Sequence, residues 1–247
     1  MVYIYTTFIY KPLFNLLIFL YQHAAFMDLG IAIILLTLIV RIVLFPFFYK
    51  GARDQAILQK IAPKIKEIQT RLKEDKQKQM EEIMAIYKEH KVNPFSAFLI
   101  LLLVQLPIMF ALFRLFVQGI HDVPRDMLYS FVSYPGALRF ELLNVLDLSK
   151  PNVLMVLVVA LLQYLQSWMM LPASTKNKAF KDLETTEMMA KQMMIMGPIL
   201  TFVIFFRMPS AVVLYWLVTT LFSVGQQVII NKRINIVKDH GKLTVAE

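Results

Sequence analysis

Uninterrupted apolar runs set the rhythm of this chain. They fall at 28–49, 95–117, 152–171, 190–207 and 209–230. Each is close to the ~20 residues a helix needs to cross ~30 Å of hydrocarbon. The runs are continuous rather than alternating, which excludes a membrane β-barrel. Met208-Pro209-Ser210 leaves only a tight turn between the last two runs, so 190–230 reads as an antiparallel hairpin of two transmembrane helices. The pattern predicts an all-α polytopic membrane protein with five transmembrane helices.

Two segments follow other periods. Residues 1–27 mix Tyr3, Tyr5, Tyr10 and Tyr21 with Phe and Leu. They read as an N-terminal interfacial amphipathic helix with its aromatics at headgroup level, an uncleaved anchor helix being the alternative. A signal peptide is not expected, because the positively charged start is missing and Lys11 sits mid-segment. In 50–94, Ile57, Ile61, Ile65, Ile68 and Leu72 recur at helical spacing, and Met80, Ile83, Met84 and Tyr87 form a shorter stripe beyond "KEDKQ". The segment is expected to be a cytoplasmic helical hairpin that closes stripe to stripe. Pro63 should kink or break its first helix, and Asn93-Pro94 should end it.

Charge then orients the chain. Eleven Lys/Arg lie in 50–94, four in 172–191 and four after residue 230. The other side, 1–27 together with the extracytoplasmic loop 118–151, carries only Lys11, Arg125, Arg139 and Lys150. The positive-inside rule puts the N-terminus outside, and the cytoplasmic loop 172–189 and basic tail 231–247 in the cytoplasm. The same rule accounts for a net charge of +9 without a specific nucleic-acid partner. A composition 58% hydrophobic and a mean hydropathy of +0.59 agree with a membrane chain. The chain contains no cysteine, so thiolate chemistry and disulfides are excluded, and its four histidines make no ligand pair at helical spacing.

Against this background Arg41 stands out. It lies within three residues of the midpoint of 28–49, where insertion scales set a cost of ~2.5–3.5 kcal/mol. Its guanidinium stays protonated. Snorkelling would require it to climb past Phe45, Phe47 and Phe48. The five runs hold no Asp or Glu except Asp28 at the outer edge, so an internal ion pair is not expected. Thr37 lies one turn before it. Gln163 and Ser167, with Gln166 beside them, stripe the third run. Trp216, Thr220, Ser223 and Gln227 stripe the fifth, and Gln105 adds an amide from the second. Each alone reads equally as helix-to-helix hydrogen bonding. Together they predict a positively charged hydrophilic groove. The runs hold no Ser/His/Asp set, paired carboxylates, metal-ligand spacing or Gly-rich phosphate loop, so neither an enzyme nor a cofactor is expected. A small anion channel or transporter using Arg41, and a scaffold acting through its cytoplasmic hairpin, remain as other readings.

The residues also carry a resemblance. "TLIVR" with "FPFF", the hairpin "APKIKEIQTRLKEDKQKQMEEIMAIYKEHKVNPF", "LLVQLPIMFALFRLF", "LLNVLDLSKP" and "RMPSAVVLYWLVTTLFSVGQQVIINKR" occur in that order. This closely resembles the YidC/Oxa/Alb family of membrane protein insertases, in a compact form similar to the Gram-positive type. The resemblance implies insertion and folding of membrane proteins in a bacterial cell membrane, without energy consumption by the insertase. It implies a groove open to cytoplasm and lipid, with Arg41, Thr37, Gln163 or Gln166, Tyr215 and Trp216 among its residues. Clients would leave along 152–171 and 209–230. The implied partners are nascent membrane proteins with short translocated segments, membrane lipids, the ribosome, the signal recognition particle pathway and a Sec translocon.

Overall fold

The computed structural model describes residues 2–96, 99, 103, 105–117, 125–171, 173–177, 179, 183 and 185–236. Short helix α1 (Val2–Tyr5) passes through a π turn at Thr6–Tyr10 into α2 (Lys11–His23). A left-handed turn leads to α3 (Leu29–Val43), whose first turn is capped by Asp28, with Oδ1 accepting from Ile31 N–H at 2.8 Å. The helix then breaks at Leu44 and restarts as α4 (Phe45–Arg71), bent by 69°. Pro46 explains the break. It lacks an N–H, and its ring would strike the Ile42 carbonyl of a straight helix. The run 28–49 is therefore two helical pieces, and Arg41 lies in the last turn of α3 rather than at the middle of a straight span.

Helix α4 runs through Pro63, so of the expected kink or break the break does not occur. It folds back on α5 (Lys76–Glu89), which Asp75 caps through Lys78 N–H at 3.0 Å. Ile57, Ile61 and Val92 are buried against the partly buried Leu58, Ile65, Ile86 and Tyr87, and Ile68 and Ile83 of the two stripes are buried as well, whereas Met80 and Met84 are exposed. Arg71 pairs with Glu82 across the hairpin. At its root the fully buried Asp54 lies 3.5 Å from Asn93 N–H and 3.7 Å from Arg53 Nε.

Within the run 95–117, α6 (Leu106–Val117) is described, while part of 97–104 and residues 118–124 lie outside the described residues. The outer loop contains a small antiparallel hairpin, β1 (Glu141–Leu142) against β2 (Leu146–Asp147), with Leu142 opposite Leu146. Next come α7 (Val153–Met170), a turn α8 (Ala173–Lys176), α9 (Thr185–Phe205) and α10 (Ser210–Ile236). Residues 237–247 of the expected tail lie outside the described residues. Helices α7, α9 and α10 are each long and apolar enough to cross a membrane, as is Tyr3–His23. The bent α3–α4 pair meets the same criterion when taken as one broken span.

One core joins α2, α3, α6, α7 and α10. Phe14, Leu17 and Ile18 meet Leu29, Ile33 and Leu36, and these meet Leu112, Val156, Val213 and Leu214. Tyr21 is buried in this core, and its hydroxyl accepts Arg139 N–H at 3.2 Å, so it is not one of the headgroup aromatics expected of residues 1–27. Only Val156 and Val159 of α7 are buried, while Val153, Leu154, Leu157, Val158, Leu161 and Leu165 are exposed, as lipid contact requires.

Candidate functional site

The polar positions converge where the bend of α3–α4 faces the C-terminal half of α7 and the middle of α10. They line an open cavity of about 260 Å³, room for several waters. Arg41 forms one wall and is 6% exposed. Among the described residues it has neither an ion-pair partner nor a hydrogen bond. Its guanidinium carbon lies 4.2 Å from the centroid of the Phe48 ring, which the bend swings beneath it. A cation–π contact offsets part of the burial cost but leaves the five N–H donors available.

Opposite stand Gln163, Gln166 and Met170 of α7. Thr201 of α9 donates to Gln163 Oε1 at 2.5 Å, which fixes that amide and leaves its NH₂ for the cavity. Helix α10 supplies Trp216, Thr219, Thr220, Ser223, Gln226 and Gln227. The Thr220 hydroxyl donates to Trp216 O at 2.8 Å and that of Ser223 to Thr219 O at 2.9 Å, so both present acceptor lone pairs. Trp216 Nε1 and Gln226 Nε2 are buried with no hydrogen-bond partner among the described residues. Buried polar atoms are rarely left in that state, and two on one cavity mark a wall suited to water or to polar groups brought from outside.

Seven of the nine expected residues line this cavity: Arg41, Gln105, Gln163, Gln166, Trp216, Thr220 and Ser223. Two do not. Thr37 is 1% exposed and donates to Ile33 O at 2.6 Å within its own helix, one turn into the packed core. Tyr215 is buried and does not itself line the cavity, but its hydroxyl accepts Gln105 Nε2–H at 2.9 Å, tying the second run to α10 directly behind a lining residue. The structure adds Thr219, Gln226 and Met170, and from α4 it adds Phe48, Gly51, Ala52 and Gln55. Thr219 and Gln226 are sequence neighbours of the recognised stripe, so a wider helical face would have included them. Gln55 carried no signal, because only the 69° bend brings its helix to the cavity. Among the described residues no group of three His, Cys, Asp or Glu could hold a metal ion.

Comparison with known proteins gives the family of the chain. Residues 19–238 match the family model described as 60Kd inner membrane protein. The membrane protein insertase YidC of Wolinella succinogenes is 36% identical over 237 residues, which cover 95% of this chain and 39% of that protein. Its namesake in Campylobacter jejuni is 36% identical over 238 residues, covering 96% and 40%. A relative of the same name from Fusobacterium nucleatum is 33% identical over 206 residues, covering 83% of this chain and 87% of its own length. The chain thus spans about two-fifths of the length of the first two relatives. With these bacterial relatives and several helices of membrane-crossing length, it is a multi-pass protein of the bacterial cell membrane. The chain belongs to the 60Kd inner membrane protein family, the YidC/Oxa/Alb family of membrane protein insertases.

Proposed function

We propose that this chain inserts and helps to fold integral membrane proteins. It receives the short polar segment that a nascent client must translocate, holds it in the cavity around Arg41, and lets the client's apolar helix pass into lipid. The names of its relatives support the activity. The observation that carries the mechanism is a buried arginine with no acidic partner among the described residues, walled by amides and hydroxyls.

The physical work is a shortened barrier. Along α10 the cavity wall runs from Trp216 to Gln227, ~16 Å of helix, about half of the ~30 Å hydrocarbon layer. A polar head lodged there has only the other half to cross. Beyond Trp216 the way is closed by Val212, Val213 and Leu214, packed in the core. A blind cavity suits a temporary seat for a client head better than an anion channel. The client's own apolar span supplies the driving force once it meets lipid, and the outward apolar faces of α7 and α10 offer the exit route. The proposed mechanism calls for no covalent chemistry, cofactor or metal.

Orientation follows charge: nineteen Lys/Arg on one side against four on the other put the N-terminus outside and the C-terminus in the cytoplasm. Polar contacts along α2 fit that reading. Asn15 Nδ2 donates to Met127 O at 2.8 Å and Gln22 Nε2 to Ser133 O at 3.0 Å, so the outer loop lies along the helix, as expected of an interfacial segment. The hairpin α4–α5, the 172–189 segment and the tail are then the surfaces that meet the ribosome, the signal recognition particle pathway or a Sec translocon.

Complementation tests this. A bacterium depleted of its own insertase would express the wild type or Arg41→Ala, and insertion of a small protein with a short acidic translocated head would be scored. Rescue by the wild type alone supports both the activity and the role of the arginine. Rescue by both keeps the activity and shifts the work to the wet wall. Rescue by neither, with both present in the membrane, rejects the insertase reading and turns attention to anion flux.

A further inference from the structure

The wall around Arg41 is not furnished as an anion seat would be. An ionised carboxylate only accepts hydrogen bonds, so an acceptor turned toward it repels it. Here donors and acceptors balance. The Arg41 guanidinium donates, as do Trp216 Nε1 and Gln226 Nε2, both buried without a hydrogen-bond partner among the described residues. The Gln163 NH₂ is a fourth donor, because Thr201 already holds its oxygen. Against these stand four acceptors. Thr220 and Ser223 turn lone pairs to the cavity, since their hydroxyl hydrogens are engaged by Trp216 O and Thr219 O. Gln105 and Gln227 add amide oxygens, because their nitrogens donate to the Tyr215 hydroxyl at 2.9 Å and to Asn231 Oδ1 at 3.0 Å.

A ligand that matches this wall carries both kinds of group, repeated over the ~16 Å from Trp216 to Gln227. An extended peptide backbone does so. Each residue brings one N–H and one C=O, and about five residues at ~3.3 Å each cover that length. A helical segment does not, because its backbone groups are already paired with each other. Gln55 and Gln166 strengthen the match, since a side-chain amide sets a donor beside an acceptor on one plane, as a peptide group does. Arg41 is the single charged side chain among the described lining residues, too few charges to sort clients by sequence. What every short unfolded head shares is its backbone, and an unpaired N–H or C=O is costly to bring into hydrocarbon whatever side chains it carries.

We infer that the cavity reads the client's backbone. It takes an extended, non-helical stretch of the translocated head and pairs its N–H and C=O groups irrespective of side chain, while Arg41 adds a preference for acidic heads. This rests on the insertion activity proposed above and names what that activity recognises: unpaired peptide groups.

Synthetic clients test it. Three peptides would share one apolar span and differ only in an acetylated five-residue head: neutral Ala/Ser with ordinary peptide bonds, the same head with each N–H replaced by an ester oxygen, and an acidic head with ordinary bonds. The full chain would be reconstituted in vesicles of phosphatidylethanolamine with phosphatidylglycerol. A cysteine at the tip of each head would report crossing by its protection from an impermeant maleimide, and each rate would be divided by the rate in vesicles without the chain. The expected result is severalfold acceleration of both ordinary heads and almost none of the ester head. Equal acceleration of the neutral and ester heads would overturn the inference. Acceleration of the acidic head alone would overturn it too, leaving the insertase reading in place, whereas no acceleration of any client would overturn both. A second measurement uses Thr220→Val combined with Ser223→Ala, which removes two acceptors. Backbone pairing predicts slower crossing of the neutral and acidic heads alike. Unchanged rates, or a faster acidic head, would show an anion seat instead and overturn the inference.

Discussion

A single guanidinium illustrates how a residue that is costly to bury becomes useful. Arg41 has a ring beneath it and amides around it, and no carboxylate to quench it among the described residues. Its attraction for an incoming acidic or polar head is therefore undivided, and it acts in a medium of lower effective dielectric than bulk water. Arg41→Lys keeps the charge but loses the planar fork, so partial insertion activity is expected. Arg41→Glu should abolish insertion of an acidic head. Equal rates for wild type, Lys and Glu in a proteoliposome insertion assay would remove the electrostatic part of the mechanism. The sequence made Arg41 legible because an unpaired cation in an apolar run has few explanations. Thr37 shares the helical face of Arg41 but is packed in the core, since sharing a face says nothing of where the cavity stops and the core begins. Tyr215 stands one layer behind the wall, bonded to Gln105, because adjacent helix positions point about 100° apart.

At the scale of elements, the polar stripe of α10 could be read from spacing alone because α10 is straight enough for its period to hold across the cavity. The contribution of α4 could not, because a proline decides the direction of that helix and no periodicity reports direction. Helix α4 also continues through Pro63 without ending. The outer β-hairpin is held by short-range polar contacts that respond to acid. Hydrogen bonds from Lys150 and Ser149 hold the Asp147 carboxyl at about 2, below its ordinary range. A carboxylate with a depressed pKa adds stability that is complete above its unfolded value, about 4, and is lost as pH falls through its folded value. Thermal unfolding in detergent should therefore show this contribution unchanged from neutral pH to about 4 and fading below that. Asp147→Asn should flatten that part of the profile. The change should be small because the pair is solvated, and a wild type and variant that run parallel below pH 4 would contradict it.

For the whole molecule, orientation is the property on which client direction depends, and charge asymmetry alone argues it. Single cysteines in the cysteine-free chain would check it. Asp75→Cys, in the turn of the cytoplasmic hairpin, should react with a membrane-impermeant maleimide only after permeabilisation. Ser149→Cys should react in cells whose outer face alone is accessible. The reverse pattern would invert the topology and place the mouth of the cavity on the wrong side for a nascent chain.

The break at Leu44 has a mechanical consequence. With Leu44 as pivot, helix α4 is a beam of 27 residues, ~40 Å long, that leans on α10 where Ala56 packs with Ile230. Phe48, which touches the guanidinium, sits only ~6 Å along the beam from that pivot. A rocking of about 5° would sweep the far end through ~3.5 Å and shift the phenyl ring by ~0.5 Å, a gearing of about sevenfold. A coarse displacement of the hairpin by a bound partner would thus reach the arginine as a fine adjustment, in the manner of a long-handled valve.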